Sequence, residues 1–254
     1  MFICLFYSFT KYGLGGIKGF AGLENYIKLF QDLFSQGLPE YTDYRGGGVP
    51  CVTAFSLWVS SAIYKMHSIS RSFFRCVFYL PVVTGSVAIT VVWKWILNPY
   101  NGILNQVAGT TGFDWLGNPK TAIWFIILIL FTTSIGQPIV LYVAALGNVI
   151  SPSLKPPGGR RHQAPGFLED QVASDHATTL YVLVITTINS FQCFALIQLL
   201  TKGGPLNSTM TIMYQVYDTA YRLYDLGYAC AIGVVLAVII AIFSAIQFKV
   251  AKTD

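Results

Sequence analysis

Charged side chains are scarce in this 254-residue chain: 11% of its residues are Asp, Glu, Lys or Arg, against 54% hydrophobic and 15% aromatic. Soluble domains carry about a quarter charged residues, so the composition excludes one and points to a polytopic membrane protein. The mean hydropathy of +0.57 agrees. A formal net charge of +5 is ordinary where Lys and Arg collect in cytoplasmic loops, and it does not argue for nucleic acid. Signatures of chemistry are missing too. Cys4, Cys51, Cys76, Cys193 and Cys230 form no CxxC pair and read as small buried apolar residues, not as a disulfide framework or metal site. His67, His162 and His176 make no HxxxH or HExxH spacing, and no Walker A loop, GxSxG or Rossmann glycine pattern occurs. The chain is therefore expected to be no enzyme, with no catalytic residue, no metal and no cofactor of its own. No apolar run carries the Asp, Glu or Lys that ion-coupled carriers place at mid-membrane, since Lys94 falls at an interface.

What is present is a series of apolar runs. A helix needs about 20 residues to cross a bilayer. Residues 73–97, 121–149, 178–200 and 227–248 meet that length, whereas 1–10 and 51–64 are short and read as partial spans. The whole of 1–254 is taken as one transmembrane domain. Lys65–Arg75 carries three basic residues and no acid, the character of a cytoplasmic loop. Alternation then puts 98–120 and the segment after residue 200 outside, and 150–177 and the C-terminus inside. In Lys11–Phe34, a loop rich in glycine is followed by an amphipathic GLENYIKLF; Tyr214, Tyr217, Tyr221 and Tyr224 have helical spacing and suit an interfacial helix.

The stretch that organises the rest is TTLYVLVITTINSFQCFALIQLLTKGGPLNST, residues 178–209. Thr186, Asn189, Ser190 and Cys193 fall at i, i+3, i+4 and i+7, so a helix gathers its polar atoms onto one stripe. Such a stripe points away from lipid, which offers an amide no partner. Two readings fit: packing between helices, where small and hydroxyl residues are common, and the lining of a hydrated path. The fourth span carries a Gly-Gln-Pro interruption at 136–138, which frees backbone groups that protein or water must satisfy.

With these landmarks placed, the chain resembles the membrane-spanning permease subunits of carbohydrate ABC importers, the maltose and glycerol-3-phosphate type. The pieces that carry the resemblance are GLENYIKLF, SFFRCVFYLPVVTGSVAITVVWKWILNPYNGILN, LYVAALGNV, the 178–209 stretch and YDLGYACAIGVVLAVIIAIFS, in that order. It implies an all-α fold with a six-helix core in the bacterial inner membrane. It also implies as partners a second homologous permease, two ATPase subunits through which ATP acts, and an external solute-binding protein that delivers a sugar or polyol. Carried over by position, Ser86, Gln137, Thr186, Ser190 and Cys193 line the substrate path, with Asn189 and Gln192 as neighbours. Val82 stands where the maltose-type relative has an aromatic that stacks on a sugar ring.

Two windows depart from the family. Relatives have an EAA…G coupling helix in the cytoplasmic loop, where this chain has LKPPGGRRHQAPGFLEDQVASDHA. Lys155, Pro156, Pro157, Gly158 and Gly159 thus stand in a degraded ATPase-coupling region. Residues 158–176 can be encoded so that a frame displaced by one base reads VDGATRLRAFWKIKWPAIT, close to the family loop. Residues 40–49 likewise permit NTLIIVVVV, the apolar half of a second span. The sequence therefore predicts a truncated first span, a disrupted second span and a disrupted coupling loop. It also leaves open an inert, frame-damaged remnant beside a working translocation subunit. A divergent loop with a true insertion is the remaining account of the two windows.

Overall fold

The computed structural model describes residues 2–35, 38–110, 112–149 and 176–251. Those residues are mostly helical. A short apolar helix, α1 (Phe2–Ser8), leads into a two-stranded antiparallel hairpin, β1 (Thr10–Gly13) and β2 (Gly16–Phe20). Next come α2 (Glu24–Ser35), α3 (Leu38–Tyr64), α4 (Ser68–Thr84), α5 (Ser86–Ile96), α6 (Ile103–Ala108), α7 (Pro119–Ser134) and α8 (Gly136–Val149). From residue 176 onward follow α9 (His176–Phe191), α10 (Ala195–Leu200), α11 (Ile212–Tyr217), a π-helical turn over Asp218–Arg222, and α12 (Leu226–Ala251). Among the described residues three helical stretches are long and apolar enough to cross a membrane: Pro119–Leu146, Thr178–Leu200 and Leu226–Val250. The α4–α5 pair makes a fourth, bent one.

Several elements differ from the sequence expectation. Residues 73–97 do not form one straight span: α4 and α5 meet at 97°. Gly85 supplies the corner with φ 82° and ψ 147°, a conformation that side chains with a Cβ rarely adopt. Residues 51–64 are not a separate fragment but the C-terminal half of α3, which runs for 27 residues through Pro50 and three consecutive glycines. Only Gly48–Tyr64 of that helix is apolar. The loop expected over 11–34 contains the hairpin, whose register slips between Lys11 and Tyr12, while the amphipathic helix at Glu24 is where its pattern placed it. Tyr214 and Tyr217 share α11 and Tyr221 lies in the π-turn. Tyr224 leaves the helix with φ 55°.

Packing follows the apolar faces. α3 lies along α8 and α9, α4 along α8, and α12 contacts α1, α2, α9 and α11. Val52, Val59 and Ile63 of α3 bury against Ile139 and Val143 of α8, and Leu29 of α2 against Tyr228 and Ile232 of α12. On the outer side Leu97, Ile126, Ile129, Leu196, Ile197 and Tyr214 close a third cluster. Val238, Ile242, Phe243, Ile246 and Val250 of α12 stay exposed, as expected of a surface that meets hydrocarbon or another subunit rather than water.

Asn105 of α6 holds the outer loop together. Its side chain is buried; Nδ2 donates to the carbonyls of Pro99 (2.8 Å) and Phe113 (2.9 Å). Oδ1 accepts from Trp115 Nε1 (2.6 Å) and Thr110 Oγ1 (3.2 Å). Leucine is nearly isosteric and satisfies none of these groups, and each orphaned buried one costs about 1–3 kcal/mol. Asn105→Leu should therefore lower the thermal midpoint of the detergent-purified protein markedly and shift Trp115 emission to the red. An unchanged midpoint would show that the loop holds without this network.

Candidate functional site

Three chain interruptions converge on one cavity of about 430 Å³. The first is the Gly85 corner, followed immediately by Ser86. The second is the α7–α8 junction, where Pro138 has no N–H for the Ser134 carbonyl four residues earlier. The third separates α9 from α10. There Gln192 N–H still donates to Ile188 O (3.1 Å), and the ladder resumes only with Gln198 N–H to Phe194 O (2.9 Å). Thr211 Oγ1, ahead of α11, donates to the Cys193 carbonyl (3.2 Å) and ties this break to the outer segment. Interrupted helices are tolerated at membrane depth where the freed backbone faces protein or a water-filled space.

The lining mixes apolar and polar side chains and carries no charge. Ser86, Gln137, Asn189, Gln192 and Cys193, five of the seven path residues expected from the sequence, face this cavity together with Thr90, Thr133, Ser134, Val82 and Phe194. Thr186 is buried and lines a narrow extension of about 10 Å³ that shares Ser134, Gln137 and Asn189. Ser190 is placed differently. It is buried, and its Oγ donates to the Thr187 carbonyl at 2.9 Å, so it belongs to helix packing and not to the lining. Lys155, Pro156, Pro157, Gly158 and Gly159 lie outside the described residues.

The polar lining divides into occupied and available groups. Thr90 Oγ1 donates to its own helix at Ser86 O (2.6 Å) and Thr133 Oγ1 to Ile129 O and Leu130 O (3.0 Å each). The Ser86 and Ser134 hydroxyls and the Gln137, Asn189 and Gln192 amides, by contrast, make no side-chain hydrogen bond with the described residues. Asn189, Gln192 and Ser86 are exposed. An amide offers two donors and two acceptor lone pairs, so this set can exchange hydrogen bonds with water or with a polyhydroxyl solute. Ser134 and Phe194 lie outside the path set expected from the sequence, although Ser134 stands in the polar interruption of the fourth span. The signal for Ser134 is its position just ahead of the Gly-Gln-Pro break, and Phe194 carries no polar signal at all.

Fold and site together define a multi-pass membrane protein built around an uncharged cavity at helix breaks. No family model matches the chain. It is 30% identical over 257 residues to the probable ABC transporter permease protein YesP of Bacillus subtilis strain 168, an alignment covering 96% of this chain and 82% of that protein. It is 28% identical to the diacetylchitobiose uptake system permease protein NgcF of Streptomyces coelicolor, covering 97% and 75%. Its fold matches a chain in the crystal structure of a bacterial alginate ABC transporter in complex with an alginate pentasaccharide-bound periplasmic protein. That match has a TM-score of 0.70 at 18% identity, over 89% of this chain and 81% of the other. The chain belongs to the ABC transporter permeases.

Proposed function

We propose that the chain is the translocation subunit of an importer for a neutral carbohydrate or polyol. In this reading the solute arrives from an external solute-binding protein, and a second permease and two ATPase subunits complete the assembly. The chain itself binds no cofactor; ATP acts through those partners. The observation that carries the reading is the uncharged lining, in which two hydroxyls and three amides have no hydrogen-bond partner among the described residues. Such groups match a solute whose recognition rests on hydroxyls, whereas an anionic solute would leave its charge uncompensated in this half of the path. The uptake function of NgcF supports a carbohydrate importer, and the periplasmic protein bound to the alginate transporter supports an external solute-binding partner.

The test is uptake of a panel of labelled neutral di- and trisaccharides by vesicles holding the chain with its partner subunits. Residues 155–159, Lys-Pro-Pro-Gly-Gly, combine the two residue types least favourable in a helix, so uptake by the chain as it stands is expected to be poor. Exchanging residues 150–177 for the corresponding loop of YesP should raise it. In that exchanged form, Asn189→Leu should lower uptake about tenfold, since a desolvated hydrogen bond lost to the solute amounts to about 1–3 kcal/mol. Asn189→Gln should retain most of the activity. Full uptake by Asn189→Leu would remove the cavity from the transport path, and full uptake without the exchange would show that coupling does not need such a helix.

A further inference from the structure

The last helix packs against the first near the end that the two share. α12 contacts α1, and they run antiparallel, since α1 ends at the hairpin and the backbone bridge between Gly13 and Asp225 pins that hairpin to the start of α12. Lys65–Arg75 is the cytoplasmic loop by its basic character, so this shared end is the outer one. Gly227 lets the chains come together there. A Cβ built on it would collide with the Thr10 carbonyl oxygen and lie 3.0 Å from the Tyr12 nitrogen.

Two cysteines stand about one turn further in, on the faces that meet. Cys4 shares a helix face with Ser8 at i, i+4, and Cys230 shares one with Gly227 at i, i+3. The rotation of α1 is fixed by Ser8, which is buried. Its hydroxyl is 2.7 Å from Tyr26 Oη and its carbonyl accepts from Asn25 Nδ2 at 2.8 Å. That rotation turns Cys4 onto α12, where its thiol and that of Cys230 share a side-chain hydrogen bond. Cys4 is exposed and Cys230 half-buried. Sequence spacing gives no sign of this pairing and reads all five cysteines as packing residues; the fold brings these two together. Little else holds α1, for Phe2, Ile3, Leu5 and Phe6 are exposed.

We propose that Cys4 and Cys230 form a disulfide that fastens α1 to α12 at the outer face. Helices in contact meet the requirement that bridged cysteines have Cα atoms within about 7 Å. The outer face of a cell membrane is an oxidising side, where disulfides form and persist. The step is thiol–disulfide exchange with a small or protein disulfide as oxidant. The exposed Cys4, as thiolate, attacks one sulfur of that disulfide and releases its first thiol; Cys230 then displaces Cys4 from the mixed disulfide and releases the second. The pair loses two electrons and two protons, and the two released thiols carry them. The bond joins the first helix to the last, the kind of long closure from which a cross-link draws its largest effect on the unfolded chain. The proposal is independent of the solute carried.

The test counts thiols in the full chain, expressed in the membrane of a host with an oxidising cell exterior. Free thiols are blocked with N-ethylmaleimide under denaturing conditions, the sample is reduced, and the thiols so released are tagged with polyethylene-glycol maleimide. The wild type should take two tags, Cys4→Ser and Cys230→Ser none, and Cys51→Ser still two. In the purified protein, a reductant should lower the thermal midpoint of the wild type and leave that of Cys4→Ser unchanged. A wild type without tags would overturn the proposal, as would two tags in Cys4→Ser, which would mean a different pair. A tagged species that runs as a dimer before reduction would place the bond between copies, and the proposal falls. An equal response of both midpoints to the reductant would show that no bond fastens α1 to α12.

Discussion

Alanine at position 136 is expected to abolish production of a stable, monodisperse protein. Gly136 opens α8 where that helix lies against α4, and a Cβ built on it would sit 2.3 Å from the Phe78 carbonyl oxygen and 2.9 Å from Val82 Cγ2. A side-chain methyl can turn aside, but a helix carbonyl cannot. The two helices would have to separate, loosening the contact of α4 with α8 and the cavity wall beside Gln137. Overpacking of this kind costs about 1–3 kcal/mol where the core can adjust and more where backbone is the obstacle. Gly136→Ala should therefore run as aggregate in fluorescence-detected size exclusion. Adding Val82→Ala should not rescue it, because the Phe78 carbonyl remains. A monodisperse Gly136→Ala peak at the parent's yield would show that α4 and α8 can part without consequence.

Single cysteines at 189 and 190, in a chain otherwise stripped of cysteine, should behave as opposites toward a membrane-impermeant thiol reagent. Asn189 is exposed at the cavity wall, whereas Ser190 is buried with its hydroxyl turned onto Thr187 O. Asn189→Cys should be modified rapidly and Ser190→Cys should resist, since thiol reactivity follows exposure. Consecutive helical residues differ by about 100° in direction, so both can belong to one polar stripe while only one reaches the water. Equal protection at both sites would mean that the stripe packs helices and leads nowhere.

That pair shows how far the sequence could be read. Spacing located a polar stripe on α9, and five of the seven path residues do gather at one cavity, because amides in an apolar run have few places to go. Spacing could not say which edge of the stripe meets water; that depends on how α9 rotates against α3 and α12. The break at residues 136–138 was legible because glycine and proline announce it. The corner at Gly85 was not, since a lone glycine in LPVVTGS is compatible with a continuous helix and its φ 82° is set by tertiary packing. The length of α3 was hidden for the opposite reason: three glycines and Pro50 argue against a helix that the structure nonetheless carries. The hairpin is too short for alternation to register.

The uncharged wall of the cavity has an electrical consequence. Moving one elementary charge across a membrane exchanges about 2.3 kcal/mol with a potential of 100 mV. Under the function proposed above, a neutral solute passing Ser86, Gln137, Asn189 and Gln192 would carry no charge through that field, and the side chains beside it carry none either. Membrane voltage would then do no work on that passage, and the direction of flow would have to be imposed by conformational work.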